Sequence, residues 1–516
     1  MTIHLSIVLW LPLAAGLLAL LVPRAVARWV MLLGALMTLA YAIVIAADYD
    51  TAVPGLQYVT DEVWIAALGI HYKLGVDGLN VWLLTTTAVL FGAAIGFASF
   101  REWERPGLCF FFFALAESFV LGAFCAQDLI LFVVFFDLML IPFYFLTGMW
   151  GGDDRVRATT KMVIYTLIGS LLMLVAAVAT GVIAADDGRQ LTFVISELQR
   201  AGLSTGTQEW IFLGFAAAFL VKMPLFPLHG WMPDAYRAMP LPALAVFSGI
   251  LSKVAAYGFL RIAIPLFPDA AAHFQDLLLL IALASILYGS VMAFTQTNVR
   301  LIFGFSSVAQ LGFIVLGIFA LRPEGAQGAL LQMVNHAVVT VPIFLIIALL
   351  AARSQGSEDV RDMGGLAFRA PVLAALFLIV SLATLAMPGS SNFVGEFYIL
   401  LGVFNAKIVI AIIAFSGVAM AAVYTLRAFI RTMHNRAGPK SESREIGLTD
   451  GLVLVPLVLI ILALAIYPQA PLDASERAVT RSVARARLAL HPPRAAIALD
   501  ATGATAAPVP AGGGAP

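Results

Sequence analysis

Charge is what this sequence has least of. Only 12% of its 516 residues are Asp, Glu, Lys or Arg, whereas soluble domains run near a quarter. A chain this apolar cannot enclose itself in a soluble surface, so a bilayer has to be its solvent. The few charges cancel to a net of zero, which argues against a nucleic-acid partner. Cysteine is almost absent: Cys109 and Cys125 lie in one apolar segment. They form no CxxC or Cys/His metal pattern and no disulfide framework, and read as two packed thiols. There is no Walker A loop and no GxGxxG after a strand. The N-terminus lacks the basic start and small-residue cleavage site of a signal peptide. It is apolar from Leu5 to Val22, with His4 and Ser6 the only early polar marks, and reads as a first transmembrane helix.

What is present is a series of long apolar runs, near 3–22, 27–47, 79–100, 108–126, 129–150, 161–184, 209–228, 242–264, 275–294, 301–321, 326–352, 371–404, 407–430 and 450–467. Each has about the 17–25 residues a bilayer needs, except 371–404, which is too long. That run is interrupted at Met387-Pro388-Gly389-Ser390-Ser391, and the seventh is interrupted by Pro224 and Pro227 just after Lys222. Proline and glycine inside a span release backbone groups that a neighbouring helix or an internal cavity must satisfy. Two broken helices in comparable places point to inverted repeats with functional sites at the breaks. The predicted fold is therefore an all-α polytopic membrane protein of about fourteen transmembrane helices, with two inverted repeats of five helices, each holding a broken helix at segment 7 or 12. The predicted units are three N-terminal helices (1–107), a first repeat (108–264), a second repeat (265–435), a last helix (436–470) and a largely disordered C-terminal tail (471–516).

The basic residues between the segments divide unequally. One side collects Arg24, Arg28, Arg101, Arg105, Arg155, Arg157, Arg237, Arg300, Arg353, Arg361, Arg369, Arg427, Arg431, Arg436, Lys440 and Arg444, against Lys73, Arg189, Arg200, Arg261, Arg322 and Lys407 on the other. Sixteen against six makes the first side cytoplasmic and directs both termini outward, although the tail adds Arg477, Arg481, Arg485, Arg487 and Arg494 to the outer side. The outer loop 185–208 is expected to hold a short surface helix around Phe193–Arg200. Trp64, Trp82, Trp103, Trp150 and Trp231 fall near segment ends and read as interfacial anchors.

Ionisable residues inside the segments carry the functional signal. Lys161, Lys222 and Lys253, three of only six lysines, sit in or at the edge of spans, and Asp137, Glu117, His336 and Glu396 join them. A charge at the bilayer centre costs roughly 2.5–3.5 kcal/mol on insertion scales, so such residues face protein, pair, or line water. For any one of them a structural pair holding two helices in register is a sufficient account, and Lys161 can snorkel to the surface. Their recurrence on separate helices is not accounted for in that way. Burial favours the neutral form of a lysine and a nearby carboxylate favours the charged form. A pair at 4 Å with an effective dielectric near 20 interacts by about 4 kcal/mol. A buried lysine that gains and loses a carboxylate partner therefore takes up and releases a proton, and lysines, histidine and carboxylates on different helices make a relay.

The stretch Lys222-Met-Pro-Leu-Phe-Pro-Leu-His229-Gly-Trp-Met-Pro-Asp234-Ala-Tyr resembles the antiporter-like subunits of respiratory complex I, which are similar to the large subunits of multi-subunit cation/proton antiporters. Further similar stretches run from about residue 64 to 468. They include Leu74-Gly-Val-Asp77-Gly-Leu, Met139-Leu-Ile-Pro142, Tyr165-Thr-Leu-Ile-Gly-Ser170, Lys253-Val-Ala-Ala-Tyr-Gly258, Ser306-Ser-Val-Ala-Gln310-Leu-Gly312 and Phe393-Val-Gly-Glu396-Phe. The set most resembles subunit M, the bacterial counterpart of mitochondrial chain 4, with Glu396 where the sister subunits carry lysine.

The resemblance implies a segment-five carboxylate and segment-seven lysine as the functional pair, which fall on Asp137 and Lys222. It places the segment-eight lysine on Lys253, the exit carboxylate on Glu396 and bridging histidines on His229 and His336. Three positions depart from the pattern. Asp137 stands for the usual glutamate and is one methylene shorter, so contact with Lys222 is expected to need water or a helix shift. Gln310 stands where the family has histidine and cannot titrate. Asn298 and Arg300 replace Asp and Lys, a change expected to matter only at the cytoplasmic surface.

The expected function is proton translocation within a bacterial NADH-quinone oxidoreductase of the cell membrane, with no cofactor or metal in this chain. NADH, FMN, Fe-S clusters and quinone are expected in partner subunits, among them sister antiporter-like chains. A subunit of a cation/proton antiporter, a scaffold whose buried charges only fix assembly, and the membrane arm of a related hydrogenase remain as alternatives.

Overall fold

The computed structural model describes residues 3–186 and 190–490. Eleven helices in it are long and apolar enough to cross a membrane. Three further crossings come from the shorter apolar helix Leu5–Leu21, from Thr205–Lys222, and from the pair Pro371–Thr384 and Ser391–Ala406. The fourteen crossings follow the predicted segments closely, and the breaks fall in the seventh and twelfth as predicted. The eighth span (Leu241–Leu266) and the tenth (Val299–Phe319) lie wholly inside the protein, and the eleventh (Pro323–Ala352) nearly so. The second (Arg24–Asp48), thirteenth (Ile408–Met433) and fourteenth (Leu448–Ile466) keep most of their apolar surface on the outside. This is the order expected in lipid, where apolar side chains gain nothing by turning inward and the interior is left to polar or small groups.

The loops gather on two faces. On one, Val299 N–H donates to the Glu358 carbonyl, Gly152 N–H to Ala238, Trp150 Nε1 to Glu104, and Arg353 to the Arg444 and Glu445 carbonyls. On the other, Gln127 N–H donates to the Lys73 carbonyl, Phe193 N–H to Gly69, and Arg485 to Gln199. These contacts unite the loops that the basic residues had grouped. Arg189 lies outside the described residues.

Four features depart from expectation. The all-α frame carries one antiparallel hairpin, Gln57–Ile65 with Ile70–Val76, turning at Gly69 with φ +61°. Its Val, Thr, Tyr and Trp residues suit a pleated surface, and its polar residues keep it out of the bilayer. The Asp128 carboxylate ties it down, accepting from His71 N–H at 3.1 Å while capping the fifth span at Ile130 and Leu131.

The predicted disordered tail 471–516 is corrected in part: Gln469–Leu490 is an amphipathic helix. It buries Leu472, Val479, Val483 and Ala486 on the hairpin face, and residues 491–516 lie outside the described residues. The expected short helix in the outer loop is Ile195–Ala201.

Trp231 is not an interfacial anchor. It is buried, and its indole N–H donates to the Val221 carbonyl at 3.1 Å, one of the acceptors released by the seventh-span break. Nor is Arg300 a surface charge. It is buried, donates to the carbonyls of Tyr236, Arg237 and Met239 at 2.7–3.0 Å, and pairs with Glu358. All three carbonyls face Nη1 while Nη2 faces Glu358, so one planar guanidinium serves the loop backbone and the carboxylate from a single buried position.

Small residues set the closest helix approach. A Cβ at Gly328 would lie 2.6 Å from the Ile399 nitrogen and the Tyr398 Cβ, against backbone that cannot yield. One at Gly148 would meet nothing within 4 Å. Gly328→Ala is expected to force the eleventh and twelfth spans apart, costing about 1–3 kcal/mol, whereas Gly148→Ala is neutral or slightly stabilising. Thermal unfolding in detergent checks this, and equal midpoints for the two variants would contradict the packing assigned to Gly328.

Candidate functional site

The first part of the site is built by two helix irregularities. The fifth span, Leu129–Trp150, is interrupted at Met139, because Pro142 has no N–H to donate back to Leu138. Asp137 lies at that interruption. Its carboxyl has Ser170 as a hydrogen-bonding neighbour, and Oδ1 has no partner. It borders a cavity of about 350 Å³ lined with Leu140, Tyr144, Leu167 and Ser170. Tyr144 and Leu167 are exposed on the outer surface of the chain, so Asp137 stands at the edge of the subunit and not at its centre.

Lys222 ends Thr205–Lys222, where Pro224 stops the helix. A cation at a helix C-terminus is favoured by the free carbonyls and the macrodipole. The Lys222 ammonium donates to the Phe136 carbonyl at 3.2 Å and lies 4.5 Å from the centre of the Phe136 ring. Asp137 and Lys222 are within electrostatic range of one another, but among the described residues they form no ion pair. The predicted pair is thus adjacent and unjoined. The shorter aspartate leaves the lysine to the backbone of the preceding residue.

Lys253 lies in the eighth span just after Phe247–Leu251, which is wound as a π-helix. Such a turn shifts the hydrogen-bond ladder and releases carbonyls. The Lys253 ammonium takes one, donating to Ser248 O at 3.1 Å and to Ser252 Oγ at 3.3 Å, with no carboxylate among its hydrogen-bond partners. Ser248 Oγ reaches Ser307 Oγ at 3.5 Å. Ser307 and Ser306 line a cavity of about 10 Å³ together with His336, Thr340 and Thr384, the size for one water. Lys253 lies within electrostatic range of His336.

From Ser306 the hydrogen bonds continue to the Tyr424 hydroxyl at 2.9 Å, within electrostatic range of Glu396. Glu396, in Ser391–Ala406, accepts from Gln310 Nε2 at 2.7 Å, and Gln310 in turn accepts from Gln332 Nε2 at 2.8 Å. Gln310, the non-titrating departure, is therefore the direct partner of the predicted exit carboxylate. At the adjoining break, Ser381 Oγ, Ser391 Oγ, Asn335 Oδ1 and both Asn392 side-chain polar atoms are buried without a protein partner. Buried groups of this kind bind water, so the second break is a polar pocket.

The remaining predicted residues are placed apart. Glu117 is fully buried in the fourth span, Pro106–Cys125, and neither carboxyl oxygen has a partner. Lys161 is partly exposed and paired with Asp234 at 2.8 Å, which ties two helices together at the surface. His229 is buried in the seventh-span break, with its ring 4.7 Å from that of Tyr288 and 5.8 Å from that of Phe226. It fills the break. Sequence reasoning missed Ser307, Gln332 and Tyr424, which carry no charge to mark them. It also missed the buried pair Asp77–Arg261, because Arg261 was counted with the outer loop.

Two broken helices and a row of interior ionisable groups inside fourteen crossings are the architecture of antiporter-like membrane subunits. Comparison with known proteins gives the family. The model of the NADH:quinone oxidoreductase/Mrp antiporter transmembrane family matches residues 126–421, and the chain belongs to that family. It is 35% identical over 485 residues to NADH-quinone oxidoreductase subunit M of Rhodobacter capsulatus, covering 91% of this chain and 94% of that one. It is 36% identical over 523 residues to subunit M of Mycobacterium tuberculosis, covering 92% and 93%. Among solved structures it superposes on a chain of respiratory complex I from Thermus thermophilus with bound NADH. The TM-score is 0.85 at 32% identity, over 94% of this chain and all of that one.

The Gln310 bridge predicts a spectroscopic signature. Gln310→Leu leaves Glu396 and Gln332 unpaired, at about 1–3 kcal/mol for an orphaned buried group. The carboxyl stretching band of Glu396, identified in infrared spectra by its loss in Glu396→Gln, is expected to shift in Gln310→Leu. An unmoved band would show that the two side chains do not touch.

Proposed function

We propose that this chain is a proton-translocating membrane-arm subunit of a bacterial NADH-quinone oxidoreductase, working beside sister antiporter-like chains. NADH, flavin, iron–sulfur clusters and quinone belong to partner subunits in this reading, and this chain contributes the route for protons. The observation that carries it is the pair of interior lysines held on backbone carbonyls. Lys222 and Lys253 are each bound to a carbonyl oxygen and to no carboxylate. A neutral amine tolerates that environment, and an ammonium is stabilised there once a carboxylate approaches. The lysines are thus poised to change protonation when their surroundings change, which a locked ion pair is not.

The proton route runs from the Asp137–Lys222 junction to Lys253, through the Ser248–Ser307 hydroxyls and the water-sized cavity at His336, to Glu396. Asp137 sits at the outer edge, where a conformational change in a neighbouring chain can alter its distance from Lys222 without distorting the core. The basic loop face is cytoplasmic and both termini face outward, so the proton leaves on the hairpin side of the membrane.

Proton-to-electron ratios in the reconstituted complex test this. Lys222→Ala is expected to abolish the share of pumping that depends on this subunit in an assembled complex. Asp137→Asn should lower it strongly, and Asp137→Glu, which restores the missing methylene, should keep it. An unchanged ratio in assembled Lys222→Ala would overturn the reading.

A cation/proton antiporter subunit is the second reading, favoured by the family's breadth. Co-purification in mild detergent separates the two. Flavin and iron–sulfur partners are expected, and small membrane partners alone would move the chain to the antiporter class.

A further inference from the structure

The eighth span carries Lys253, Tyr257 and Arg261 at successive intervals of four residues, so all three lie along one helix face. Lys253 is held at mid-span, whereas Arg261 sits about 12 Å further along the axis, at the end nearest the hairpin. Arg261 is largely buried and paired with Asp77. Its Nε donates to the Tyr257 hydroxyl at 2.9 Å, and that hydroxyl donates to the Phe124 carbonyl at 3.0 Å. Asn80 donates to the same carbonyl at 2.8 Å and accepts from Asp77 N–H, while Leu79 N–H donates to the Asp77 carboxylate. Asp77, Arg261, Tyr257 and Asn80 thus form a closed ring of hydrogen bonds around one backbone oxygen.

Immediately beyond the ring lies a cavity of about 290 Å³, bordered by Asp77, Arg261, Tyr49, Gln199, Arg477 and Arg481. The terminal helix Gln469–Leu490 roofs it. Arg477 donates to the Ala52 carbonyl at 3.0 Å, Arg485 to Gln199 at 2.7 Å, and Ser482 to Leu260. A cavity on the outer face, bordered by the charged Asp77, Arg261, Arg477 and Arg481, therefore comes within a few turns of an interior lysine, without passing Glu396. A pump whose relay is open at such a place would lose its protons through it.

The ring has the properties of a seal. Guanidinium cannot give up its proton in a protein, so Arg261 cannot be a relay station. A fixed arginine charge in a narrow passage excludes protons and cations. The only hydrogen of the Tyr257 hydroxyl is committed to Phe124, so the hydrogen bonds close on a carbonyl, with none directed to Lys253. We propose that the Asp77–Arg261–Tyr257 ring is an electrostatic plug that closes the outer side of the first repeat to protons and leaves Glu396 as the exit. Asp77 is the positioning residue that holds the guanidinium between the cavity and the interior of the eighth span. The inference rests on the reading that Lys253 carries a proton.

The experiment is passive proton leak in vesicles containing the purified complex, read as the decay of an imposed pH gradient with no NADH added. Asp77→Asn with Arg261→Gln removes both charges and leaves no unpaired ion, and the leak is expected to rise on the order of tenfold. Should that pair fail to assemble, Arg261→His with Asp77 kept is the substitute, because imidazole still pairs with the aspartate but can release its proton; the same rise is expected. Adding Lys253→Ala should return the leak to the parent level. Vesicles as tight as the parent would overturn the plug, and so would a leak that persists with Lys253→Ala. Lys253→Ala alone separates the two ideas: normal pumping in that variant overturns the underlying reading, whereas lost pumping together with a tight double variant overturns the plug only.

Discussion

Inside a hydrocarbon slab there is no water to satisfy a backbone carbonyl or an ammonium group, so each must find the other. Much of this molecule follows from that constraint. The breaks and π-turns that release carbonyls occur where a donor is at hand to take them. Lys222 takes Phe136 O, Lys253 takes Ser248 O, and Trp231 takes Val221 O. The irregular helices and the interior cations are therefore one feature. Straightening the helix would orphan the lysine, and removing the lysine would orphan the carbonyl.

The two kinds of cation are used differently. The interior lysines sit on carbonyls, which do not fix their charge. Two arginines near the loop faces are fixed by carboxylates, Arg300 by Glu358 on the basic face and Arg261 by Asp77 on the hairpin face, and a third, Arg353, is held by backbone carbonyls. A lysine's charge responds readily to burial and to partners, and an arginine's does not. The interior lysines Lys222 and Lys253 thus lie between arginines whose charge is fixed.

The carboxylates are also placed unequally. Asp137 stands at the rim of the chain beside a cavity on its outer surface, with one oxygen unpaired. Glu396 is buried and bonded to Gln310, which is bonded to Gln332. The rim carboxylate is open to influence from a neighbour, whereas the inner one is tuned by its own chain. The glutamine at position 310 joins Glu396 to Gln332 by hydrogen bonds and, as an amide, adds no titrating group between them.

Long apolar runs, their proline breaks and the rarity of charge were enough to determine from sequence that this chain crosses a membrane about fourteen times, where it is interrupted, and which ionisable residues lie inside. Each of those properties is local, or depends only on the cost of burying a given side chain. The hairpin at 57–76 and the helix at 469–490 were not legible. Their residues are polar enough to read as loop, and they take shape by docking on other segments. Tertiary structure alone decided which buried charge meets which partner. It left Asp137 and Lys222 adjacent and unjoined, put Lys161 at the surface with Asp234, turned Trp231 and Arg300 inward, and joined Asp77 to Arg261 across 184 residues of chain. A hydrogen bond is settled by ångström-scale distances between helices, and the spacing of residues along any one of them does not contain those distances.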